Sequence, residues 1–538
     1  MTLLAALVAW VAGGFAWARV PDPPIRIPLQ PLGYQSIVQD FLLQGNSMLT
    51  VDFVDSDHLL VTFGVRRLMT REVDPPPDDD DRMVEAVLVE LPSGKLLART
   101  EWRFHDRLQY LWRLGHGRFL LRERGRLSVL APLGAANRDD PFRLTPLLRV
   151  DRHIVLIQVS PEGDLLTVET TKPPAGQGAA ENGMGGAFDP LDPAPVQSNF
   201  YRLESAGDAG DNLQPVVAGF VRTRSPIAVP MTAAGFLELQ DGGKGTWLFN
   251  FDEHAGKVDE LLAFDTSCFP RSTFVGLSEF VVFGCRGNEE RQDLAAFNLK
   301  GDEMWQDNFT DVHVAPTFSF APAAGRFALG RTIVNGIVDP ESVSVGAVTG
   351  QDVRVYQSYN GKLLFRSDVS PVERAGQNFA LSPDGLRLAL VRETLVQHKA
   401  TKDEEGYTDR EAAVEVYALP ALSDKDQAAV KAAAATAPAD TGARIDVSLE
   451  RLAAKPAGNK GGSAAAPVPV QPPAPVAPDA GGLPNAPAAN TGAAAGATEA
   501  VTGAGATDAA AGDPDSDAPR TPPTLYGPGE KPGDKKPQ

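Results

Sequence analysis

A short turn followed by an apolar strand recurs along the middle of this 538-residue chain, and that recurrence limits what the chain can fold into. Ser160-Pro161-Glu162-Gly163 precedes the run 164–168, and Ser382-Pro383-Asp384-Gly385 precedes 386–391. A looser copy, Ala321-Pro322-Ala323-Ala324-Gly325, precedes 326–329. Proline presets φ at the second position of a turn and glycine adopts conformations that bulkier residues avoid, so each copy predicts a hairpin corner. A second form, strand, glycine turn and return strand, occurs at 87–97, 296–305 and 354–365. From about residue 41 to 419 short apolar or alternating runs are separated by Gly, Pro, Asp and Asn, with no long 3.6-residue period. That pattern predicts an all-β domain.

The alternation of Ser-Pro-Asp-Gly turns with hairpins such as Asn360-Gly361-Lys362-Leu363-Leu364 resembles the blades of WD-repeat, YVTN-type and quinoprotein-like β-propellers. The resemblance covers about two thirds of residues 41–420. It implies four-stranded blades of roughly 40–50 residues each, and so about seven blades once the inserts at 66–82, 172–198 and 394–411 are set aside. A pair of two-sheet sandwiches is the structural alternative. The segment 296–305, ending in Trp305, resembles the tryptophan-docking segment of quinoprotein-like propellers, and Glu90 to Leu97 followed by Trp102 is a looser echo. In that family the tryptophan packs between adjacent blades, so the resemblance implies a structural role and no cofactor. The family's vicinal cysteines and calcium ligands are not recognisable here. Trp102, Trp112, Trp247 and Trp305 are accordingly expected in core or inter-blade packing. Residues 58–133 also resemble uncharacterised exported acidobacterial proteins, which implies no function.

The ends of the chain differ from its middle. Residues 3–18 are uncharged and rich in Leu, Ala, Val and Trp, ending Ala16-Trp17-Ala18 before Arg19. Small residues at the first and third places of that triplet match a signal-peptidase site, and the run is shorter than the ~20 residues of a membrane span. This predicts a signal peptide, 1–18, cleaved between Ala18 and Arg19, and a secreted, periplasmic or cell-envelope protein without stable membrane insertion after cleavage. No Lys or Arg precedes the apolar run, so an uncleaved anchor or a mis-set start codon are the alternatives. Residues 19–40 form a Pro-rich extended leader, 41–423 the propeller-like domain and 424–538 an Ala/Pro/Gly-rich tail. The tail lacks the apolar surface that would offset ordering entropy, which predicts disorder. At its start, residues 426–436 are Ala-rich and predict a short helix behind Ser423, ended by Pro438.

Lys plus Arg number 50 and Asp plus Glu 69, a net charge of −19. Such a balance argues against nucleic acid and anionic membrane surfaces as partners. The two cysteines, Cys268 and Cys285, are expected to pair in an oxidising compartment, the alternative being two buried thiols. The sequence holds no Gly-x-Ser-x-Gly elbow, no His-Glu-x-x-His, no Gly-Lys-Ser/Thr phosphate loop and no Cys-x-x-Cys. Asp78 to Asp81 are of the type that ligates calcium, although acidic runs behind prolines are commonly solvated loops, and no metal site is assigned. No catalytic residue, cofactor or metal is therefore expected. The reading is an exported, non-enzymatic propeller that binds or scaffolds a protein or glycan. The alternative is an envelope enzyme on the same scaffold, a quinoprotein-like oxidoreductase or a polysaccharide-cleaving enzyme.

Overall fold

The computed structural model describes residues 24–35, 49–65, 81–106, 109–171, 196–206, 212–223, 231–232, 235–243, 246–252, 258–266, 270–285, 292–309, 316–334, 348–370, 377–398, 407–437 and 445–446, all within one compact unit, residues 1–493. The strands of these residues fall into seven sheets. Numbered along the chain, sheets 1 to 6 occupy 50–104, 111–149, 153–223, 231–265, 271–309 and 317–369, and sheet 7 occupies 379–418 together with Ile25–Pro28. Within each range, successive strands pair as antiparallel neighbours in the order in which they occur. Six sheets have four strands, whereas sheet 3 has a fifth, Ile445–Asp446, which pairs in parallel with Asn212–Thr223. The expectation of seven four-stranded blades is corrected to that extent, because the long edge of sheet 3 accepts a segment from beyond the last sheet.

The apolar runs of the sequence are explained by burial on both faces of each sheet. Alternate residues of a strand point to opposite faces, and here each face meets a different neighbour. In Glu279–Cys285, Phe280 and Val282 pack with sheet 4 residues Leu237 and Phe264, while Val281 and Phe283 pack with Phe327 and Leu329 of sheet 6. In His58–Gly64, Leu59, Val61 and Phe63 face sheet 7 and Leu60 faces sheet 2. Further clusters join sheets 2 and 3, and sheets 6 and 7. Because one cluster joins the first sheet to the last, the sheets close into a ring.

The closure is made by the leader. Ile25–Pro28 forms the outermost strand of sheet 7, with Ile25 opposite Val416 and Pro28 opposite Ala413. Proline is tolerated there because an outermost strand has one edge without a ladder to support. Ile27 and Leu29 are buried beside Val414 and Val416. The leader expected at 19–40 thus supplies a structural strand.

Among the described residues, sheet 7 is followed by a helix, α1 (Asp424–Thr436), as the Ala-rich pattern predicts. Ser423 Oγ accepts from the Asp426 amide and the Asp426 carboxylate accepts from the Ser423 amide, a capping box that satisfies two donors at the helix start. The helix docks on sheets 5 and 6: Ser278 Oγ donates to the Ala433 carbonyl at 2.9 Å, and Tyr359 Oη to Asp426 at 3.0 Å. Residues 438–444 and 447–538, the rest of the expected tail, lie outside the described residues, as do the expected signal peptide with Ala18 and Arg19.

Candidate binding site at the channel mouth

In every antiparallel sheet the turn after the first strand and the turn after the third lie at the same end. The first strands of sheets 1, 2, 3, 6 and 7 line a common axial channel, and their first turns surround its mouth. There the walls enclose a cavity of about 670 Å³. The fold is a β-propeller.

The recurrent turns bring the rim together. Gly163 closes the Ser160 turn with φ 78°, and a Cβ placed on it would lie 2.0 Å from the Gly115 amide nitrogen. Only glycine allows both that conformation and that approach of the sheet 3 turn to the sheet 2 turn. The Ser382 turn is latched to sheet 1: Ser56 Oγ donates to Asp384 at 2.6 Å, and Arg387 donates to the Ser56 carbonyl at 2.5 Å.

Among the described residues Asp52, Asp55, Arg113, Arg118 and Glu162 line the cavity, and three of them, Asp52, Arg113 and Glu162, have their ionisation shifted by burial. Asp52 lies on the first strand of sheet 1, between buried Val51 and Phe53. The channel walls shield its carboxyl from bulk water, which pushes its pKa up from 3.8 to about 7, against the opposing pull of the Arg113 charge. Arg113, on the first strand of sheet 2, donates through Nη1 to the carbonyls of Phe320 in sheet 6 and Leu381 in sheet 7, at 3.1 and 3.0 Å. It thus reaches carbonyls of two sheets beyond its own neighbour in chain order, and burial lowers its pKa, partly offset by Asp52. Glu162, in the Ser160 turn, is pushed up to about 7 by burial and further by Asp164, against a bond from its own backbone amide. Its Oε1 is buried without a hydrogen-bond partner.

Around these groups stands an apolar wall. Phe318 and Phe320 stack with ring centroids 6.0 Å apart, and Trp112 and Phe379 complete it. His116 sits exposed on the rim, and no tyrosine lines the cavity among the described residues.

Of the residues singled out in the sequence, Trp305 packs as expected. It stacks on Tyr356 and Phe327 of sheet 6 at 5.6 and 6.2 Å, and its Nε1 donates to the Ser358 carbonyl at 2.5 Å. Gly361 passes directly beneath the indole, where a Cβ would lie 2.5 Å from the ring. Trp102 is buried between sheets 1 and 2 with Phe104 and Phe142. Trp112 is half-buried and lines the cavity as well as packing against the cluster between sheets 2 and 3, and the Trp247 side chain lies outside the described residues. Cys285 is buried at the end of its strand, while Cys268 lies outside the described residues. In the acidic run, 78–80 lie outside them and Asp81 binds Arg103, with Nε to Oδ1 at 2.7 Å, which holds its carboxyl below the usual range. Among the described residues no group of three or more metal-binding side chains is gathered.

Sequence reasoning missed Asp52, Arg113 and Glu162. The available signal was a single charge between apolar neighbours in a short strand, Val51-Asp52-Phe53 and Trp112-Arg113-Leu114.

No protein-family model and no curated protein matches the chain. Among solved structures, it is similar to the acylaminoacyl peptidase of Pyrococcus horikoshii at 10% identity and a TM-score of 0.38, over 68% of this chain and 52% of that one. The C-terminal WD40 domain of Sif2 is similar at 10% identity and a TM-score of 0.33, over 70% and 97%. A putative TolB from Agrobacterium tumefaciens is similar at 11% identity and a TM-score of 0.28, over 60% and 95%. The propeller spans about half the length of the peptidase. At these scores the assignment of the fold rests on the closed ring of sheets.

Proposed function

We propose that this propeller is a binding module whose channel mouth takes up a basic segment of a partner protein. One observation carries the reading. The cavity is lined by the carboxyls of Asp52 and Glu162, the second with its Oε1 buried and without a hydrogen-bond partner, while the Arg113 guanidinium is committed to two carbonyls. A Lys or Arg side chain, or an N-terminal amine, supplies the donors and charge that such a site lacks. The Trp112, Phe318 and Phe320 surfaces suit its methylene stem and offer cation–π contact. The net charge of −19 steers cations toward the protein.

Titration of Lys- and Arg-containing peptides against the protein, followed by calorimetry, tests this. Binding should strengthen from pH 5.5 to 8.5 as the two carboxyls ionise, and the double variant Asp52→Asn, Glu162→Gln should weaken it at least about thirtyfold. Equal binding of acidic or neutral peptides, or an unaffected double variant, refutes it.

Two carboxyls held near neutrality in one cavity also suit general acid and base work on a glycan. Release of reducing ends from polysaccharides by the wild type, lost in either single variant, would favour that second reading.

The proposal includes export, cleavage after Ala18, and a bond between Cys268 and Cys285. Its support is the apolar run at 3–18 and the position of Thr266, whose Oγ1 accepts from the Cys285 amide at 2.9 Å. That bond brings the chain, two residues short of Cys268, against Cys285. Mass spectrometry of thiol-blocked, unreduced protein from the native host should find the two cysteines linked and Arg19 first. Two alkylated thiols on a chain beginning at Met1 would refute both parts.

A further inference from the structure

Sheet 2 is a basic sheet in an acidic chain. Residues 111–149 hold eight arginines and three carboxylates, although the whole chain carries a net charge of −19. Part of that excess is gathered at the end of the ring opposite the channel mouth. The turn after a sheet's second strand lies at that end, and in sheet 2 it is Arg124-Gly125, between Phe119–Glu123 and Arg126–Leu130. The fourth strands of sheets 1 and 2 finish there too, at Phe104 and Arg149. These segments enclose a second cavity, of about 550 Å³, whose wall carries Arg103, Arg124, Arg126, Arg149 and His105. Glu123 and Asp151 are the carboxylates of the same wall.

The fold fixes the hairpin tip that borders this cavity. The Val150 amide donates to the Gly125 carbonyl at 2.7 Å, and Arg122 Nε donates to the Arg124 carbonyl at 3.0 Å. A Cβ on Gly125 would lie 2.3 Å from the Val150 carbonyl oxygen, so only glycine lets the tip close on the end of the fourth strand. Arg124 stands at φ 52°, in the left-handed region that side chains other than Asn, Asp and His seldom enter. Strain of this kind is concentrated at functional sites.

Two of the guanidiniums are available to a ligand. Arg126 meets Glu123 at 3.6 Å and Arg149 meets Asp151 at 3.7 Å, both beyond hydrogen-bond length. The side chains of Arg126, Arg149 and Asp151 are 64%, 83% and 93% exposed. Exposed pairs of this kind contribute little, so a ligand carboxylate that binds a guanidinium through two parallel hydrogen bonds displaces them. Arg103, by contrast, is committed to Asp81.

Arg126 and Arg149 also border a smaller cavity of about 380 Å³, walled by Leu144, Pro146, Leu147 and Leu148. A cationic compartment and an apolar one thus adjoin across the same two side chains. The three leucines are half-buried and Pro146 is exposed, a shallow surface that suits the side chain of a peptide and does not enclose a long acyl chain. Proline in this outermost strand disfavours an added strand, so recognition passes through side chains.

We infer that the end of the ring opposite the channel mouth carries a second binding site, whose ligand is an acidic segment of a partner protein. Its carboxylates pair with Arg126 and Arg149, and an adjacent apolar side chain packs on Leu147 and Leu148. The site is separate from the channel mouth and takes ligands of opposite charge.

Fluorescence anisotropy of a labelled peptide, Asp-Glu-Leu-Asp-Phe-Glu, with the full-length protein tests the inference. The peptide should bind, and more weakly as salt is raised. The double variant Arg126→Gln, Arg149→Gln, changed at exposed positions, should keep the wild-type Tm and lose at least about tenfold in affinity. The same variant should treat basic peptides as the wild type does, which separates this site from the channel mouth. Replacing Leu and Phe of the peptide by Ser should weaken binding at least about fivefold. Absence of binding to the wild type, or unchanged affinity in the double variant, overturns the inference. Equal binding of the Ser peptide with displacement by inorganic phosphate also overturns it, since the site would then serve a free oxyanion. So does binding to phosphatidylglycerol vesicles without binding to the peptide, which would point to a lipid surface. A dimer in sedimentation that the double variant abolishes would make a second copy the occupant and overturns it as well.

Discussion

Replacing Asp52 with Asn should stabilise the propeller, and by more at high pH than at low. The folded chain holds the Asp52 proton more tightly than the unfolded chain, with pKa values of about 7 and 3.8. A carboxyl shifted in this direction contributes its full relative stability below the unfolded value, and that contribution is lost as the pH rises toward the folded value. The accumulated cost of ionising it in the channel is about 2 kcal/mol at pH 5 and about 4 kcal/mol at pH 8. Asparagine keeps the shape and removes the charge. With an unfolding entropy of about 2.1 cal/mol/K per residue over roughly 400 residues, these figures become a rise in Tm of about 2 °C at pH 5 and about 5 °C at pH 8. Thermal melts followed by circular dichroism at both pH values, in the same salt, read the difference directly. Equal shifts at the two pH values, or a variant less stable than wild type at pH 8, would show that the channel does not penalise the charge.

Other substitutions separate local from global consequences. Gly163→Ala forces a Cβ against the sheet 2 backbone from a left-handed conformation and should lower stability by about 3 kcal/mol, read as a Tm lower by about 4 °C; an unchanged Tm would mean that the two turns separate without cost. Trp305→Ala removes the stack on Phe327 and Tyr356 and should cost about 3–5 kcal/mol in denaturant melts, a loss that a merely exposed indole would not produce. Deleting residues 1–23 should leave the melt unchanged, whereas deleting 1–28 strips the outer strand from sheet 7 and should give a broader, lower transition and self-association in sedimentation. Identical behaviour of the two truncations would remove the leader from the ring closure.

Much of the fold could be read from the sequence because the turns are chemically explicit. Pro161, Gly163, Pro383 and Gly385 occupy positions where few residues fit, and the strands between them are apolar on both faces because each sheet is covered on both sides. Trp305 was legible for the same reason, since its packing follows from a local motif. The closure by Ile25–Pro28 was hidden: four residues among prolines carry no pattern that points to a partner near residue 415. The fifth strand of sheet 3 was hidden in a similar way, within a composition that predicts no structure. The cavity was least legible. Asp52, Arg113 and Glu162 come from three sheets and meet only because the ring brings their first turns together, so no spacing along the chain encodes their proximity.

The strand that completes sheet 7 sets an order of events during synthesis. Pro28 and its partner Ala413 are separated by about 385 residues, so a ribosome working at roughly 5–20 residues per second needs on the order of half a minute to make the second after the first. Throughout that interval the leader strand has no place to go. Sheets 1 to 6 can form hairpin by hairpin as they emerge, but sheet 1 must wait with Val51, Phe53 and Leu59 uncovered until the final sheet arrives to meet them. Joining first to last gives the finished ring its seam and makes the nascent chain dependent on whatever shields that apolar face until translation has passed residue 418.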